Sequence, residues 1–154
     1  MTDAQEKYLN DFFVHIFNKI LAWEEQALSN VGAADLSVKE LHVLEAVNDL
    51  TAQSRNTMTA IADALSIRVS SLTAAVNTLV RKGYLERRGE PGDRRVIRIR
   101  LTEKGGQANQ LHSQFHADMI AGVAQGLNEE ELNVLVHSLE QLSRFFGSMT
   151  AKKA

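Results

Sequence analysis

The chain has no cysteine, one proline, few aromatic residues and almost no net charge. The missing cysteines exclude a disulfide framework and any thiolate metal site. With a single proline and 44% hydrophobic residues, the composition favours a packed, mainly helical protein over a disordered one. No run of roughly 18 apolar residues could span a bilayer. The N-terminus also lacks a basic segment leading into an apolar one, so no secretory signal is expected. These absences predict a soluble, cytoplasmic protein with no membrane partner. Its 154 residues suit one domain spanning 1–154.

The formal net charge of −2 hides an uneven distribution. Between Arg68 and Lys104 lie ten of the seventeen Lys and Arg but only four of the nineteen acids, a local balance of +6. The remainder, with seven bases and fifteen acids, carries −8. Cations gathered in one place mark a nucleic-acid-binding element. Charge alone fits a solvated surface equally well, so the element pattern must decide.

That pattern begins with a long amphipathic helix over 5–30. Leu9, Phe12, Phe13, Ile16, Phe17 and Ile20 form its apolar stripe, which then meets Glu24 and Leu28. Ser37 and Glu40 have capping-box spacing, flanked by Leu36 and Leu41 at staple positions, and start a second helix running to about Leu50. The polar segment 51–57 reads as a loop. Two short helices follow, Thr59–Leu65 and Ser70–Lys82, with Gly83 at the C-cap. In the second, Leu72, Val76, Leu79 and Val80 turn inward, while Ser71, Thr73, Ala74, Asn77 and Arg81 turn outward. This is a helix-turn-helix pattern.

Strands Tyr84–Arg88 and Arg94–Leu101 flank Glu90-Pro91-Gly92-Asp93, which suits a type II turn. Ile97, Ile99 and Leu101 alternate with Arg98 and Arg100, giving the hairpin one apolar and one basic face. A β-hairpin directly after a recognition helix makes a winged helix. Thr102 then caps a helix to about Gly126, and Asn128 with Glu131 caps a last one. The expected fold is therefore mainly α: a winged helix-turn-helix lobe over 36–101, with dimerisation helices at 5–30 and 102–149. The end helices carry more apolar surface than the lobe can cover, which predicts a homodimer.

In element order and motifs, namely LVRKGYLERR (79–88), DRRVIRIRLTEKG (93–105) and LSVKELHVL (36–44), the chain resembles the MarR family of bacterial transcriptional regulators. The resemblance covers almost the whole chain, including the Asp-x-Arg wing pattern at Asp93 and Arg95. It implies a homodimeric, sequence-specific regulator, expected to be a repressor, that binds pseudo-palindromic double-stranded DNA operators. Ser70, Ser71, Thr73, Ala74 and Asn77 would approach base edges in the major groove. Arg95 would enter the minor groove beside Asp93 and Arg94. Arg68, Arg81, Lys82, Arg98 and Arg100 would meet phosphates. Arg87 and Arg88 read as residues that cap and solvate the hairpin.

A second constellation comprises Glu24, His42, His112 and His116. His112 and His116 lie one helical turn apart and share a face, so both rings can grip one metal ion. A carboxylate and three imidazoles make a tetrahedral zinc set without cysteine. Within the family, these residues resemble the ligands of zinc-uptake repressors. The chain is also similar to the fatty-acid-synthesis repressor, whose corepressor is acyl-acyl carrier protein. The zinc repressors' secondary-site cysteine is replaced here by Asn30, which leaves the primary site standing. An acyl chain would need an apolar lining such as Phe13, Phe17, Trp23, Phe115 and Met119. Two readings from other classes remain beside these. One is a metal-dependent enzyme, which no glycine-rich phosphate loop or nucleophile motif supports. The other is a winged helix used only for protein contact.

Overall fold

The computed structural model describes residues 1–30, 35–90 and 92–151, with side chains left undescribed at 29–30, 93–95 and 150–151. In order, the elements are α1 (Asp3–Asn30), α2 (Val38–Ala52), α3 (Met58–Ala64), α4 (Val69–Arg81), β1 (Leu85–Glu90), β2 (Asp93–Leu101), α5 (Glu103–Gln125) and α6 (Glu129–Ala151). They fall into two compact units, 1–115 and 116–154.

The first unit is built around α2, α3, α4 and the hairpin. Leu41, Leu44, Val47, Ile61, Leu72, Val76, Leu79, Leu85 and Ile99 are its fully buried side chains. Each contributes about 1.5–3 kcal/mol of transfer free energy, which is what holds such short helices in place. Helix α2 starts with the expected reciprocal capping box, Ser37 and Glu40 each satisfying the other's backbone N–H. Helix α4 ends as the sequence predicts. Gly83 adopts φ +80°, its N–H reaches the Val80 carbonyl, and the Tyr84 N–H reaches the Leu79 carbonyl. This pair of bonds closes the helix and turns the chain into the wing.

The hairpin is antiparallel, with Leu85 opposite Leu101, Arg87 opposite Ile99, and a register shift between Gly89 and Glu90. Gly92 has φ +94°, the left-handed geometry that the third position of a type II turn requires. Pro91 lies outside the described residues.

The segment 51–57 differs from expectation. Helix α2 continues to Ala52, and Asn56 is buried rather than looped out. The Asn56 side-chain amide donates to the Ile99 carbonyl at 2.6 Å, and the Ile99 N–H returns a bond to the Asn56 carbonyl at 2.9 Å. A polar stretch thus supplies hydrogen bonds to the inner strand of the wing. Both short helices also begin one residue earlier than predicted, because Thr57 caps α3 through the Ala60 N–H and Arg68 occupies the N-cap of α4.

In the second unit, Asn128 and Glu131 form the predicted reciprocal cap of α6. Leu135 and Leu142 are half-buried, while Leu139, Phe145, Phe146 and Met149 are exposed. On α1 the predicted stripe is likewise open: Leu9, Phe12 and Phe17 are exposed, and Phe13, Ile16 and Ile20 are half-buried. Among the described residues, no single helix is long and apolar enough to cross a membrane.

Candidate functional site

Helix α4 turns two chemically different faces to its surroundings. Leu72, Val76 and Leu79 are fully buried. Ser70, Ser71, Thr73, Ala74, Asn77 and Arg81 are all exposed, with Arg68 at the N-cap. The Thr73 hydroxyl donates to the Val69 carbonyl at 2.8 Å, which leaves its oxygen lone pairs available outward. The outer face is rich in small polar groups, the kind that can approach base edges in a DNA major groove.

The basic residues around α4 separate into two groups. Arg68, Arg81 and Arg100 project into solvent. Lys82, expected on a phosphate, instead bonds the Glu40 carboxylate at 2.8 and 2.9 Å and also reaches the Asp35 carbonyl. Arg98 likewise joins the Glu90 carboxylate and the Ser54 carbonyl, bracing the wing against the loop after α2. Lys82 stands at the C-cap of α4 and Arg98 within β2, and carbonyls and acids of the fold reach both. Asp93, Arg94 and Arg95 are on β2, but their side chains lie outside the described residues.

A junction that sequence reasoning missed sits beside Lys82. The Tyr84 hydroxyl donates to Asp35 Oδ1 at 2.7 Å, and the Lys104 ammonium lies 3.9 Å from the Tyr84 ring centroid. The Thr102 hydroxyl bonds the Gly83 carbonyl at 2.6 Å. These contacts tie the start of α2, the end of α4 and the start of α5. Tyr84 is raised to about 12 by its burial and by its bond to Asp35. That same bond, together with Lys104 and Lys82, lowers Asp35. Burial pushes the Glu40 carboxyl up, and the bonds from Lys82 and Ser37 more than reverse this, leaving it lowered. No local pattern announced the junction, since Asp35 and Tyr84 are 49 residues apart.

The second site forms on α1, α2 and α5. Glu24 and His112 are buried, at 3% and 2% exposure, and His112 Nε2 lies 2.7 Å from Glu24 Oε1. His42 Nε2 is 4.0 Å from the same oxygen, and its side chain is nearly half exposed. The two imidazole centroids are 5.6 Å apart. One ligand atom from each of the three residues lies within 4.8 Å of the others. Three of the four residues singled out from sequence are therefore assembled. His116, a turn later on α5, begins the second unit and is half-buried. A carboxylate and imidazoles at this spacing are a donor set that fits zinc.

Of the apolar residues considered for an acyl chain, Trp23 and Phe115 meet edge to face at 4.9 Å. Phe13 packs in the same manner against Phe12, while Phe17 is 65% exposed. Met119 is half-buried in the second unit.

A family model described as the MarR family matches residues 34–96. The uncharacterized HTH-type transcriptional regulator YhbI of Bacillus subtilis is 31% identical over 90 residues, or 58% of this chain; the match spans about half of that relative (54%). A second such regulator, YpoP of the same organism, is 23% identical over 129 residues, covering 84% of this chain and 89% of YpoP. Among solved structures, Streptococcus pneumoniae FabT in complex with DNA is 31% identical, with TM-score 0.81 over 94% of this chain and 99% of FabT. A point mutant of Escherichia coli MarR complexed with operator DNA shares the fold at 23% identity, with TM-score 0.63 over 92% of this chain and 99% of that one. The two Bacillus relatives are both named as HTH-type transcriptional regulators. By its winged helix, its sequence and its agreement with FabT along nearly the whole chain, the protein belongs to the MarR family of transcription regulators.

Proposed function

We propose that the protein is a homodimeric repressor that binds pseudo-palindromic double-stranded operators in the cytoplasm, with its DNA affinity set by an effector. The observation that carries this reading is the outer face of α4, with small polar side chains bounded by Arg68 and Arg81. Similarity to FabT, which was crystallised with DNA, supports it. The open apolar surfaces of α1 and α6 support the dimer, since single chains rarely leave such stripes uncovered. A two-fold axis would set the recognition helices about one helical turn, ~34 Å, apart. Arg95 is assigned to the minor groove, beside Asp93 and Arg94.

For the effector, the donor set Glu24, His42 and His112 supports zinc. Bound zinc would supply a cross-link among the helices that carry these residues. Such a link can raise DNA affinity only by favouring the DNA-competent arrangement over the others. The second reading, an acyl chain delivered by acyl carrier protein, is supported by the sequence resemblance to the fatty-acid-synthesis repressor and by the Trp23–Phe115 contact. Fluorescence anisotropy on genomic fragments, with and without zinc or acylated carrier protein, tests both. Zinc-dependent tightening selects the first reading, and tightening by the acylated carrier alone selects the second. DNA binding that neither changes removes both effectors. Loss of all selective DNA binding overturns the regulator itself.

A further inference from the structure

We infer that Arg87 is a positioning residue for base reading: it holds the amide of Asn77 so that α4 presents the N–H donors of Asn77, and not its oxygen, to DNA. The inference rests on the assignment of α4 as the DNA-reading helix.

Arg87 is opposite Ile99 in the hairpin, and residues paired across two strands share a face. Ile99 is fully buried and Leu85, two residues before Arg87, is 2% exposed. Arg87 therefore occupies the core-covering face of the wing, within reach of the C-terminal half of α4. Its stem leads the guanidinium to the recognition helix, where Nη2 lies 2.6 Å from Asn77 Oδ1. Arg88 and Arg98 instead bond the carboxylates of Glu86 and Glu90. Among these wing arginines, Arg87 is the one joined to an outward-facing residue of α4.

The chemistry of the bond sets the orientation. A guanidinium has donors and no acceptor, so its partner on an asparagine must be the oxygen. The amide nitrogen then faces away from the wing. An unconstrained asparagine reads adenine by donating to N7 and accepting from N6. Arg87 takes one of the two lone pairs of Oδ1 and turns that oxygen toward the wing, so Asn77 directs its two N–H donors outward in place of the donor–acceptor pair. Those donors match guanine O6 and N7, or thymine O4. An exposed bond of this kind is weak in water. It strengthens where a groove displaces solvent, as a DNA-bound α4 would do.

The test is base preference, measured on the full-length protein by selection from a randomised duplex library and then by anisotropy on single-substitution duplexes. Wild type is expected to favour guanine or thymine at one position in each half-site, and Asn77→Ala to erase that preference. Arg87→Ala should relax it about tenfold and move it toward adenine, because the amide is free to turn. Arg87→Lys keeps one donor to Oδ1 and should retain the wild-type preference. Arg87→Ala weakening every duplex equally would make Arg87 a phosphate contact and overturn the inference, as would a wild-type preference for adenine at the Asn77 position. If wild type selects no sequence and both alanine variants bind like it, the assignment of α4 fails and the inference falls with it.

Discussion

His112 Nε2 lies 2.7 Å from Glu24 Oε1, although 88 residues separate the two in the chain. With Glu24 ionised, the carboxylate accepts and the imidazole carries its proton on Nε2. The contact joins α1 to α5 inside the first unit, and the half-exposed His42 of α2 sits beside it.

Because Glu24 and His112 are both buried, deleting either takes a buried hydrogen bond from the other. His112→Ala or Glu24→Ala should cost about 3 kcal/mol in chemical denaturation. Glu24→Gln retains an accepting oxygen and should cost less. His42→Ala, at a half-exposed position, should leave stability nearly unchanged. It therefore separates metal binding from folding: zinc should raise the melting temperature of wild type and not of His42→Ala, measured by calorimetry.

Gly105 fits where no side chain can. A Cβ built there would meet the Tyr84 carbonyl oxygen at 2.1 Å, and that oxygen is also bonded by the Thr102 N–H. Gly105→Ala must push α5 away from the end of α4. The expected loss is about 3 kcal/mol, or roughly 6–12 °C in melting temperature. Gly106→Ala, where a Cβ meets nothing, is the control and should be neutral or slightly stabilising.

The junction at Lys82 should make stability depend on pH at both ends of the scale. Glu40 and Asp35 are lowered from ordinary values of 4.5 and 3.8. Their contribution is complete above those values and is lost as pH falls through the lower folded ones. Tyr84 acts in the opposite sense, because its raised value favours the protonated hydroxyl. Its contribution is complete below pH 10 and is lost as pH rises toward about 12. Lys82→Ala should shrink the acid-side dependence and Tyr84→Phe should abolish the alkaline one, both read from urea midpoints across pH. Tyrosinate absorbance, compared with Tyr84→Phe, should register the late ionisation directly.

The exposed cations on either end of α4 should act on all sequences alike. Arg81→Ala or Arg68→Ala is expected to weaken specific and non-specific duplexes by similar factors. Each should also reduce the slope of log affinity against log salt by about 1. An unchanged slope would take that residue off the phosphate backbone. Arg95→Ala should instead cost ~1–3 kcal/mol on the operator alone.

Much of this protein was legible from local pattern. The apolar periodicity of α4, the Ser37–Glu40 and Asn128–Glu131 boxes and the glycine after Lys82 all act within a few residues, so their spacing carries their meaning. The same holds for alternation in β2 and for the concentration of arginines. Helical spacing also flagged Glu24, an acid on an apolar stripe, and the His112–His116 pair. It was silent on whether they meet.

Only tertiary structure decided which long-range partners each polar group found. It brought Glu24, His42 and His112 together, turned Lys82 from solvent to Glu40, buried Asn56 against β2 and set Arg87 on Asn77. The reason is physical. Burial of apolar faces is non-directional and can be read from periodicity. A hydrogen bond or metal set depends on ångström-scale positions that arise only after the faces have packed.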